Sequence, residues 1–90
     1  MRNNCFVVVN CGDNPSFGGQ YKTPADVVES YAKYPSFTGR VYTSLPAAAK
    51  EMNRLDATLK KGDSCYVVCG CYCKQFDRKL TARRHRSPQL

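Results

Sequence analysis

The chain has 90 residues, of which 42% are hydrophobic, 11% aromatic and 23% charged, and its formal net charge is +7. That length supports one domain with a thin stability margin, and the composition excludes wholesale disorder. No apolar run approaches the ~18–20 residues that span a bilayer, and Cys5 to Val9 is too short for a signal-peptide core, so no membrane association and a cytoplasmic location are expected.

Cys5-Phe6-Val7-Val8-Val9-Asn10 is β-branched and aromatic and runs into Gly12-Asp13-Asn14-Pro15, which predicts a central strand followed by a turn. Phe17 to Tyr21 contains two adjacent glycines and predicts a short edge strand, paired back on the first as a loose hairpin. Thr23-Pro24-Ala25-Asp26 predicts a helix start: Thr23 caps, Pro24 has no N–H to lose in the first turn, and Asp26 faces the positive end of the dipole. Val27, Val28, Tyr31 and Tyr34 form its apolar stripe, with Pro35 stopping it after about three turns.

Gly39 to Thr43 predicts a further strand. Ser44-Leu45-Pro46-Ala47 then opens a second helix with Leu45, Ala48, Ala49, Met52 and Leu55 on one face. Lys60 and Lys61 suit its negative end, and Gly62 its stop. Asp63-Ser64 turns into a last strand from Cys65 to Cys73, and apolar periodicity ends beyond Phe76. The expected fold class is α+β: a small three- to four-stranded, mainly antiparallel sheet with two helices on one face, in the order β-β-α-β-α-β. Residues 1–76 are expected to form the domain and residues 77–90 a basic, flexible arm.

Six cysteines in a short chain raise the question of a disulfide scaffold. Without a secretion signal the thiols are expected to be reduced. Cys65, Cys69, Cys71 and Cys73 share one parity in the last strand, so they are read as small buried hydrophobes facing a helix. Zinc is the competing reading, but strand neighbours two apart stand roughly 6–7 Å from each other. Sulfurs bound at ~2.3 Å to one zinc must converge to under about 4 Å. No metal and no cofactor are therefore expected. The single histidine, His85, lies in the basic arm, away from any cysteine nucleophile, and the chain has no phosphate loop or catalytic carboxylate pair, so no enzymatic activity is expected.

Six of the thirteen residues from Lys74 to Arg86 are basic and only Asp77 is acidic, so this stretch carries +5 of the total of +7. Concentrated positive charge releases counterions on meeting a polyphosphate, which makes nucleic acid the first partner to consider; the plainer alternative is a solvated tail.

The stretch from Phe6 to Leu55 also resembles the hybrid-binding domain at the N-terminus of eukaryotic-type ribonuclease H, the viroplasmin-like domain. The shared features are the opening apolar strand, the turn with Gly12 and Pro15, Gly19 and Tyr21 leading into a helix, Tyr34-Pro35, and Tyr42, Ser44, Leu45 and Ala48 at the second helix. The resemblance implies a related fold and an RNA–DNA duplex as ligand. The family's tryptophan at the start of the first helix falls on Pro24, its aromatic before a basic pair falls on Gly39, and of that pair Arg40 is present while Val41 stands at the second position.

The leading functional expectation is a small non-enzymatic module that contacts structured RNA, hybrid or duplex nucleic acid through phosphates, since A-form helices are read through backbone and 2′-hydroxyl groups. The candidate contacts are Lys22, Arg40, Lys74, Arg78, Lys79, Arg83, Arg84 and Arg86. The alternative is a protein-binding inhibitor or adaptor, such as a phage or viral polypeptide that blocks a host nucleic-acid machine.

Overall fold

The computed structural model describes residues 3–77. Its regular elements are β1 (Cys5–Asn10), β2 (Gln20–Tyr21), α1 (Pro24–Tyr31), α2 (Leu45–Asp56) and β3 (Tyr66–Cys73), with single 3-10 turns at Cys11–Asp13 and Lys74–Phe76. The sheet order is β1-β3-β2, so the last strand in the chain lies at the centre. β1 and β3 are antiparallel from Cys5↔Cys71 to Asn10↔Tyr66, whereas β2 runs parallel to β3 through Gln20↔Tyr72 and Tyr21↔Cys73. No helix among the described residues is long and apolar enough to cross a membrane.

Side-chain alternation divides the sheet into two faces. On one face Cys5, Val7, Val9, Cys69, Cys71 and Cys73 pack with Val27 and Tyr31 of α1, and Tyr34 and Phe37 from the following turn close the layer. Val8 points the other way and is nonetheless fully buried, as is Ala48 of α2. α2 packs on β1 and β3. Tyr42 bridges Phe6 at the outer edge of β1, which turns its ring to the Val8 face, and there it lies within electrostatic reach of Arg54 on α2. The sheet is therefore sandwiched between α1 and α2.

Both helix starts follow from local chemistry. Asp26 N–H donates to Thr23 Oγ1 at 3.3 Å while Asp26 Oδ2 accepts from Thr23 N–H at 3.2 Å, a reciprocal capping box with Pro24 in the first turn. Ser44 Oγ accepts from Ala47 N–H at 3.3 Å and caps α2.

The α+β class agrees with the sequence reading, but the three-stranded sheet is mixed rather than mainly antiparallel, and five further details are corrected. β1 and β2 form no hairpin, because Gly18 N–H and Tyr72 N–H bond across to Gly70 and Gly19 carbonyls and place β2 on the far edge of β3. Gly39 to Thr43 is no strand: Gly39 turns at φ 83° and Ser44 already caps α2, leaving the single bridge at Tyr42. The helices do not share one face. Both helices stop early, α1 at Tyr31 and α2 at Asp56, where Asp56 Oδ1 accepts Tyr66 N–H at 2.8 Å and ties the helix end to β3. Cys65 precedes β3 and is exposed, in contrast to the buried Cys69, Cys71 and Cys73.

Candidate nucleic-acid interface

The parallel pairing of β2 with β3 brings together residues more than fifty positions apart. Just beyond Tyr21↔Cys73, where the pairing ends, Lys22 lies in the bend before α1 and Lys74 opens the 3-10 turn, and Gln75 N–H donates to the Lys22 carbonyl at 3.0 Å. Gln20 and Tyr72 are paired in the ladder, so their side chains share one face of the sheet. With Tyr21 these residues line an open pocket of about 390 Å³. It lies at the margin of the face that α2 covers over β1 and β3.

Each wall is held by a nameable contact. The Tyr21 hydroxyl shares a hydrogen bond of 3.0 Å with Ser30 Oγ of α1, and its ring folds over Gly19, where any Cβ would collide with it. The Tyr72 hydroxyl donates to Asp77 Oδ2, and this bond, followed by partial burial, raises the phenol above its ordinary range. Asp77 is thereby engaged with the phenol. Neither Lys22 nor Lys74 is ion-paired among the described residues, and both are exposed. Two like charges lining one pocket repel each other, and an anion bound between them relieves the repulsion. The pocket thus combines two cations, an amide and the aromatic Tyr72, a set suited to phosphate and sugar hydroxyls.

Of the sequence candidates, Lys22 and Lys74 meet here and Arg40 does not. Arg40 precedes the Tyr42 bridge on the outer side of β1, across the sheet from β2. There it adds to the field on Glu51, whose carboxyl is held low first by hydrogen bonds from Arg54 and to a lesser degree by Arg40. Arg78, Lys79, Arg83, Arg84 and Arg86 lie outside the described residues. The chain leaves the described region at Asp77, beside the pocket, through the turn that begins at Lys74. Gln20 and Tyr72 were not singled out from sequence. Tyr72 carries the relevant signal, since it has opposite parity to the buried cysteines and must therefore face away from them.

No group of three or more potential metal ligands is assembled among the described residues. In comparisons with known proteins, no family, curated protein or solved structure matches the chain.

Proposed function

We propose that the protein is a small non-enzymatic module that binds structured RNA, hybrid or duplex nucleic acid through its phosphates. The observation that carries this reading is the convergence of Lys22 and Lys74 on one pocket beside Gln20 and Tyr72, on a face open to a large ligand. The lysines supply affinity as phosphate contacts, and Gln20 supplies a hydrogen-bonding group for a sugar hydroxyl or a phosphate oxygen. The +5 stretch from Lys74 to Arg86 begins at the same place in the chain, and its further positive charge would add to phosphate affinity. The resemblance of residues 6–55 to hybrid-binding domains implies the same ligand class, but Pro24 and Gly39 stand where that family has its duplex-clamping aromatics, and the pocket lies apart from Arg40.

The test is fluorescence anisotropy of the full chain with an RNA duplex, an RNA–DNA hybrid and a DNA duplex of equal length, at several salt concentrations. Binding that weakens steeply with salt and ranks the A-form ligands above DNA is expected. No binding to any of the three at low salt, together with a stoichiometric protein partner that survives nuclease treatment during purification, would establish the inhibitor or adaptor role instead.

A further inference from the structure

Cys5 and Cys71 are directly opposed in the antiparallel ladder, on the face covered by α1, and both are fully buried. Their sulfur atoms are 2.6 Å apart, inside the non-bonded approach of two sulfurs. Directly opposed residues of this kind have Cα atoms about 5.5 Å apart, within the ~4.4–6.8 Å that a disulfide bridges. The Cys71 thiol is also in contact with the Cys5 carbonyl at 3.4 Å, so both side chains point into the same small space.

We propose that Cys5 and Cys71 are an oxidisable cross-strand pair, converted to a disulfide by a low-molecular-weight disulfide such as oxidised glutathione. One cysteine thiolate attacks a sulfur of the oxidant and releases one reduced thiol. The second cysteine gives up its proton and displaces the other. Two electrons and two protons thus pass from the pair to the oxidant, which leaves as two thiols, and one S–S bond is broken for each one formed.

Cys71 is the member that ionises first, since a hydrogen bond from Cys5 favours its thiolate against the cost of burial. That bond and burial push the Cys5 thiol up, leaving it as the proton donor. Access follows from position. Cys5 is the first residue of β1, and Asn4 just before it is clasped to Cys73 by Cys73 N–H to Asn4 Oδ1 at 2.7 Å and Asn4 Nδ2 to the Cys73 carbonyl at 3.0 Å. Fraying of this end exposes the pair without unfolding the rest of the sheet. The bond would join β1 covalently to the strand that carries Tyr72, next to Cys71.

A second cysteine pair flanks the other end of the ladder, where Cys11 N–H donates to the Cys65 carbonyl at 2.9 Å, but both residues are exposed. The experiment therefore uses the full chain with Cys11→Ser and Cys65→Ser, incubated with oxidised glutathione and analysed by intact mass and peptide fragmentation. The expected product has lost two hydrogens and two titratable thiols, has Cys5 linked to Cys71, and melts at least about 10 °C higher than the reduced form. Adding Cys5→Ser should abolish that rise. A bond from Cys5 to Cys69 or Cys73, a stable glutathione adduct alone, or four free thiols after β1 amides have exchanged would each overturn the proposal. If Cys5→Ser fails to fold, the peptide map of the parent still decides.

Discussion

Val8 tests the sandwich directly, because its burial exists only if α2 covers the face opposite α1. Val8 pairs with Val68 across β1 and β3 and is completely buried, with Ala48 of α2 buried on the same face. Val8→Ala removes two methyl groups, worth about 0.8 kcal/mol each in transfer. The cavity left behind adds roughly 1 kcal/mol where a close-packed helix cannot collapse onto the sheet. The expected loss is therefore about 2–3 kcal/mol, a large part of the roughly 5–13 kcal/mol available to a chain of this size. Urea unfolding followed by circular dichroism measures it. With a slope near ~1 kcal/mol/M the midpoint should fall by about 2 M, and the melting temperature by roughly 10–20 °C. Leu45→Ala at the 53% exposed start of α2 is the control and should cost far less. A Val8→Ala loss below about 0.5 kcal/mol, the range of exposed substitutions, would show the Val8 face uncovered and refute the arrangement.

Thiol reactivity and alkaline stability provide two more checks. In the reduced native protein Cys11 and Cys65 should react rapidly with an alkylating reagent, while Cys5, Cys69, Cys71 and Cys73 should wait for opening of the fold; equal rates for all six would contradict the buried cysteine layer. Burial pushes the Cys69 thiol from 9.0 up to about 11, with help from neighbouring Cys71, and burial also raises the Tyr31 phenol. Each group binds its proton more tightly folded than unfolded. Their contribution to stability is thus complete below about pH 9 and is lost as the pH rises towards 11 and beyond. Denaturant midpoints that stay level from pH 8 to 11 would contradict this.

Local chemistry made much of the fold readable. Thr23, Pro24 and Asp26 announce their capping box, and the shared parity of Cys69, Cys71 and Cys73 announces their common buried face. What the sequence hid were relations between distant segments. An unbroken Val7-Val8-Val9 run is the pattern of a strand buried on both sides, yet a run that short is equally consistent with a one-sided edge. The pairing of β2 depends on a parallel rung with β3, formed across 52 residues, and no turn residue near Gly18 or Gly19 signals it. Lys22 and Lys74 could each be chosen for their charge, but their adjacency is a product of that crossover. Tyr72 alternates with buried cysteines on both sides, and that parity alone turns it to the opposite face.

The most direct measurement is the salt dependence of RNA-duplex and hybrid affinity for Lys22→Gln/Lys74→Gln beside the unmodified chain. Both side chains are exposed, so the fold should survive, as the far-ultraviolet circular dichroism will report. If each lysine contacts one phosphate, the slope of log affinity against log salt should flatten by roughly 1.4–1.8, with affinity reduced about equally for all sequences of a given duplex type. An unchanged slope and affinity in the double variant would contradict the placement of the nucleic-acid interface at the pocket beside the β2–β3 pairing.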